Sequence, residues 1–261
     1  MGIQRYIGLA QDIFAIALVA IFPLIDLPAT RRLKQFSSGL ARLALYRRSV
    51  FSTWVFTIAA IALTSLGSLL VVSRQPGDLP WLDGSAVMHA VVAISLVALF
   101  AWILWPSVQC ALNRGIRQQY FQAYRSSFIR FLLPVSRQER TWWVVLSVTA
   151  GVCEELLYRG FMLQYLRGHL SGGPALGLTL AWLLSSLAFG AGHFYQGARG
   201  VVETTVAGWV FGLLAIFTGN LVLPIALHSL VDLRILLTYH PAQDAPEEAA
   251  VLISGFRLQD H

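Results

Sequence analysis

Gly151-Val-Cys-Glu-Glu-Leu-Leu-Tyr-Arg-Gly160 is the stretch on which the fold of this chain turns. It sits inside the apolar run 142–161, about 20 residues, the length a helix rising 1.5 Å per residue needs to cross a hydrocarbon core about 30 Å thick. A carboxylate at the centre of such a span costs roughly 2.5–3.5 kcal/mol on insertion scales, so Glu154 and Glu155 mark a functional site with a partner. Arg159, four residues after Glu155 and on the same helical face, is that partner.

Working outward, the 261 residues are 56% hydrophobic and 12% charged, with a mean hydropathy of +0.64. That composition lies outside the range of soluble domains and reads as one polytopic membrane domain. The clearest spans are 51–72, 86–105 and 142–161. The runs 175–193, 201–218 and 221–239 are shorter or more interrupted, each bounded by Gly, Pro or polar breakers. The run 7–27 is the weakest, because Pro23 and Asp26 suit a kinked or interfacial helix.

The fold class expected is therefore all-α, a transmembrane bundle of about seven helices, with six as the alternative. An amphipathic interfacial helix is added where Ile116, Tyr120, Tyr124, Phe128 and Phe131 recur at spacings of three to four. Three parts follow along the chain. Residues 1–141 carry the N-terminal spans and the interfacial helix, 142–239 form a core holding the polar motifs, and 240–261 are a polar tail, expected to be mobile.

The net charge of +6 comes from 19 basic residues against 13 acidic ones. All but Lys34 of the basic residues are Arg, and they gather in two stretches, Arg31 to Arg48 and Arg114 to Arg140. Two spans separate these stretches, so both fall on one side, as the positive-inside bias requires, while the loop between the two spans sets Arg74 against Asp78 and Asp83. Seven spans place the N-terminus outside. The location read is a bacterial-type cytoplasmic membrane, multi-pass, with the lipid bilayer as the contacting medium. Nucleic acid is set aside as a partner, because basic loops between spans report topology and anionic headgroups. Two cysteines, Cys110 and Cys153, exclude a disulfide framework, and Cys153 in apolar surroundings reads as a packing residue.

Three polar clusters interrupt the C-terminal spans: Glu154, Glu155 and Arg159; Phe189 with His193; and His228 with Asp232. Glu155–Arg159, Phe189–His193 and His228–Asp232 are each spaced i, i+4, one helical face apiece. If the spans on either side of Ser171-Gly-Gly-Pro174 form a hairpin, Glu154 lies about 17 residues before the turn and His193 about 21 after it. The mismatch is about 6 Å at helical rise, within reach of side chains and a water.

Carboxylates and imidazoles at a shared depth suit activation of water against a carbonyl. Glu154 would be the general base, His193 would hold the same water, and His228 would donate to the developing oxyanion with Asp232 orienting it. Arg159 would neutralise Glu155 and fix the helix. Duller readings stand beside these. Glu155 and Arg159 also read as a structural ion pair, His193 as a cap, and Asp232 as a partner of Arg234 or Arg159. Phe189 reads as packing, and His89 and Glu203 as structural.

Glu-Glu-x-x-x-Arg at Glu154 to Arg159, Phe-x-x-x-His at Phe189 to His193 and His-x-x-x-Asp at His228 to Asp232 together resemble the CPBP group of intramembrane glutamic proteases. That group includes the prenyl-protein (CAAX) endoproteases and bacterial Abi-type proteins, and the similarity covers about residues 142–239. The resemblance implies that Glu154 activates water with help from His193, that Glu155 and Arg159 support the site, and that His228 with Asp232 binds the oxyanion. The prenyl-protein branch ends its third motif in Asn, a donor, whereas ionised Asp232 only accepts. Asp232 must then be protonated or act by orienting His228. Asp at this place is similar to many bacterial members, which weakens the case for a prenylated substrate.

The function expected is an intramembrane endopeptidase acting on a peptide or membrane-protein substrate, with no cofactor and no metal. Two alternatives remain. A zinc-dependent membrane protease would use Glu154, His193 and His228 as ligands, although no His-Glu-x-x-His occurs. A non-proteolytic immunity or scaffold protein would bind without cutting.

Overall fold

The computed structural model describes residues 2–36, 38–75, 77–78, 80 and 85–241. Asp83 and residues 242–261 of the polar tail lie outside the described residues. The described residues form helices without a β-strand ladder; one isolated bridge pairs Val71 with Asn220. The all-α membrane bundle read from the sequence holds.

The first apolar run becomes three helices, α1 (Gly2–Ala20), α2 (Phe22–Ile25) and α3 (Leu27–Gln35). The chain bends by 42° between residues 4–20 and 22–35. Pro23 and Pro28, each near the start of its own helix, lack the N–H that a continuous helix would use, so the helix restarts at each. The expected kink is there.

α4 (Gly39–Leu63) begins well before the apolar run expected at residue 51, because the Ser38 side chain accepts from Ala41 N and starts the helix among the arginines. It also stops early. The Ser65 side chain caps α5 (Leu66–Leu70), and the chain leaves that short helix extended at Val71. α6 (Ala86–Leu112) runs through Pro106. α7 (Arg114–Arg125) turns Phe121 into the protein and keeps Arg114 and Arg125 exposed, in line with the amphipathic helix read between residues 106 and 142.

α8 (Arg137–Glu155) continues without a break through a π-helical segment, Leu156–Met162, into α9 (Leu163–His169). Beyond Gly172 and Gly173 follow α10 (Pro174–Gly192), α11 (Ala198–Thr218), α12 (Val222–Leu233) and α13 (Ile235–Thr238).

Three helices, α6, α10 and α11, are long and apolar enough to cross a membrane, or four if the bent α1–α3 unit is one broken span. The other expected spans fall short of that measure for visible reasons. Three arginines occupy the first part of α4, five charged residues lie within α8, and the run 221–239 is divided into α12 and the four-residue α13.

Close helix approach depends on small residues. A Cβ on Gly151 of α8 would come within 2.8 Å of Ser229 N on α12, and one on Gly160 within 2.7 Å of Leu69 O on α5. A network of polar groups anchors the start of α8. The Ser136 side chain and Glu139 cap each other's backbone, and buried Glu139 also accepts from Val135 N at 2.6 Å and from Arg42 Nε of α4 at 2.9 Å. Two apolar cores lie around this axis, one centred on residues 156–163 and the other on Tyr46, Phe121, Trp143 and Tyr239.

Candidate functional site

Glu154 and Glu155 occupy the end of α8, where adjacent residues differ by about 100° in direction and so face different neighbours. Glu155 is fully buried. Its Oε1 accepts from Arg159 Nη1 at 2.8 Å and from His228 Nδ1 at 2.8 Å. Arg159 also donates to Gly208 O of α11 at 3.1 Å, and its guanidinium lies over the Phe189 ring, 4.4 Å from the centroid. One carboxylate thus joins α8, the π segment and α12, with α11 held through the arginine.

Glu154 faces a cavity of about 370 Å³ that also has His193, His228, Asp232 and Tyr158 in its lining. Its Oε2 is buried, has no hydrogen-bond partner among the described residues, and lies 3.9 Å from Nε2 of both His193 and His228. The separation is one that a single water about 2.8 Å from the carboxylate and from either imidazole would bridge. His193, at the end of α10, bonds through Nδ1 to Phe189 O at 3.0 Å. A carbonyl only accepts, so Nδ1 carries a proton and donates there, and Nε2 is the ring nitrogen that faces Glu154.

His228 is held by two aromatic rings and a carboxylate. Phe211 stacks on it with ring centroids 5.1 Å apart and 15° between planes, Phe189 packs perpendicular to it at 5.8 Å, and Glu155 accepts a hydrogen bond from Nδ1. Asp232 Oδ2 stands 3.8 Å from Nε2 of His228, on the more exposed side of the cavity. Arg159 is engaged by Glu155, and Arg234 donates to Ile103 O at 3.2 Å.

The six residues singled out by motif thus come together at one place. The sequence reading missed Glu155 as the partner of His228, a contact across 73 positions. It missed Phe211 and Gly208 on α11, which no motif marks. It also missed the cavity wall supplied by Pro23, Asp26, Thr30, Tyr46 and Ser49. Asp26 there accepts from Ser49 and lies 3.2 Å from Arg48, and interruption of the first apolar run by a proline and an acid was the one available signal. Phe189 is packing, as read, but packing of a specific kind: its ring touches both imidazoles and Arg159. Glu203 pairs with Arg199, and His89 bonds Ser85 O. Among the described residues no group of three or more His, Cys, Asp or Glu side chains is disposed to hold a metal ion.

An all-α membrane bundle with a carboxylate–imidazole cluster lining an internal cavity is the class that fold and site define. Residues 136–234 match the family model described as type II CAAX prenyl endopeptidase Rce1-like, in agreement with the resemblance that the three motifs carry. The match spans a little over a third of the chain and runs from the N-cap of α8 to the C-cap of α12, the elements that carry all six residues. No curated protein and no solved structure matches the chain significantly. The family supports a CAAX-type hydrolase, an endopeptidase of peptide or protein substrates in a membrane.

Proposed function

We propose that the chain hydrolyses a peptide bond by a glutamic mechanism, with Glu154 as general base. The observation that carries this reading is the place of Glu154 Oε2: buried, without a hydrogen-bond partner among the described residues, and equally far from two imidazole nitrogens. A water held between Glu154 and the Nε2 lone pair of His193 gives a proton to Glu154 as its oxygen bonds the scissile carbonyl carbon. The carbonyl electron pair moves to oxygen, and the oxyanion is held by His228 Nε2–H. Since Nδ1 already donates to Glu155, that donation uses the doubly protonated ring. Collapse of the tetrahedral intermediate breaks the C–N bond, and Glu154 returns its proton to the departing amine.

Glu155, Arg159 and Asp232 act through others. Glu155 orients His228, Arg159 balances Glu155 and ties α11 to the site, and Asp232 sets the charge beside His228 Nε2. The cavity lining extends to Thr30 and Tyr124, close to the arginine-rich ends of α3 and α7, which suits entry from the cytoplasmic side of a cell membrane.

Purified protein in detergent, offered internally quenched C-a-a-X peptides with and without a farnesyl group, tests the reading. The unaltered chain should cleave at least one of them, and Glu154→Gln should lower kcat about 10²–10⁴-fold without changing thermal unfolding. Undiminished cleavage by Glu154→Gln removes the carboxylate from the chemistry. Stoichiometric zinc in active protein, with activity lost to a chelator, replaces the mechanism by a metal-dependent one.

A further inference from the structure

Ser147, Glu154 and Tyr158 share one face of the helix that runs from α8 into the π segment, at i, i+7 and i+11, and all three line the cavity. The two hydroxyl residues are each 1% exposed, and neither hydroxyl has a hydrogen-bond partner among the described residues. Thr30 of α3, also in the cavity lining, and Ser107 of α6 likewise lack partners among the described residues, but many other buried or half-buried hydroxyls satisfy themselves. Thr57, Ser186 and Ser229 each donate to the carbonyl four residues back. Ser147 does not, and the Tyr158 hydroxyl instead lies against Gly192, where an added Cβ would come within 3.0 Å of it. Gly192 precedes His193, so the phenol sits beside the group proposed to hold the water.

A substrate segment brought below the membrane surface in extended form carries carbonyl oxygens that neither water nor lipid can satisfy there. A helical wall offers no free backbone N–H at mid-length, because each is spent on the helix, so only side-chain donors can meet those carbonyls. We propose that Tyr158 and Ser147 are main-chain donors to the substrate, which makes this face of α8 a track for an extended peptide. Tyr158, one turn from Glu154, donates to the carbonyl at the bond being cut. Ser147 lies about 10 Å from Glu154 along the axis, about three residues of extended chain, and donates to a carbonyl that distance away, toward the arginine-rich start of α8. The assignment of Tyr158 to the cleaved bond rests on the reading of Glu154 as the base, whereas the track as a peptide site does not.

Binding and turnover separate the two. The probes are dansylated, farnesylated C-a-a-X peptides, one keeping ten residues before the Cys and the other a single residue, titrated by fluorescence anisotropy into full-length Glu154→Gln protein. Adding Ser147→Ala should weaken the long peptide about threefold to tenfold and leave the short one unchanged, while Tyr158→Phe weakens both by a similar factor. In the chain with Glu154 intact, Tyr158→Phe should lower kcat about tenfold or more. Thermal unfolding should stay level, since each change removes one unsatisfied oxygen. Equal loss on both peptides in Ser147→Ala, no loss in either variant, or no binding of either peptide overturns the track. Length-dependent binding by a chain that cleaves neither peptide leaves the track standing and removes the hydrolytic reading.

Discussion

At the scale of single residues, the adjacent acids Glu154 and Glu155 have opposite relations to stability. Glu155 is bonded to Arg159 and His228, so replacing Arg159 strands a buried charge. Arg159→Met should cost about 3–5 kcal/mol, seen as a lower thermal midpoint in detergent. Glu154 has only nitrogens at 3.9 Å, beyond hydrogen-bond distance, so Glu154→Gln should not lower that midpoint although kcat falls about 10²–10⁴-fold. A midpoint that falls as far in Glu154→Gln as in Arg159→Met would make Glu154 a structural residue. The pairing of Glu155 with Arg159 was legible because helical period alone brings i and i+4 together. The bond from Glu155 to His228 was not, because it depends on how α12 is set against α8, and no local spacing encodes that.

At the scale of elements, the long helix from Arg137 to His169 changes period where the site lies. Its π segment begins directly after Glu155 and contains Arg159. A wider turn of this kind redirects the side chains beyond it and recurs at functional sites. Nothing in the residues 156–162 announces it, since Leu-Leu-Tyr-Arg-Gly-Phe-Met has the composition of an ordinary apolar helix. One contact requires its glycine. Gly160 meets Leu69 O of α5 so closely that any side chain must displace the backbone of one or the other. Gly160→Ala should therefore lose about 1–3 kcal/mol, and activity should fall with it because Arg159 is the neighbouring residue. Unchanged turnover and midpoint would show that α5 is free to withdraw. The element ends were legible where a cap marks them, as at Pro174 of α10, and less so in α4, where Ser38 and Ser65 move the helix back from the apolar run.

At the scale of the whole molecule, sequence patterning foretold a lipid-embedded bundle because bilayer solvation acts on composition, which needs no tertiary knowledge. It foretold less of which segments enclose the cavity, since Thr30, Tyr46 and Ser49 carry no motif and reach it only through the packing of α3 and α4 on the later helices. The direction of the bundle is open to a direct check. Helix continues from Arg137 to His169, about 50 Å at helical rise and longer than the hydrocarbon core, so if it crosses the bilayer its two ends emerge on opposite faces. On the positive-inside bias, the arginines of α7 and of the start of α8 then predict residues near 130 on the cytoplasmic side and the glycine turn near 171 on the other. Both native cysteines are buried, so an introduced thiol gives a clean signal. In intact cells Ser171→Cys should react with a membrane-impermeant maleimide, and Arg130→Cys should react only after the membrane is opened. Reversal of the two would turn the bundle over and move the mouth of the cavity to the outer face. Labelling of both in intact cells would show that the long helix does not span, and the depth argument for a water-excluding site at Glu154 would fall with it.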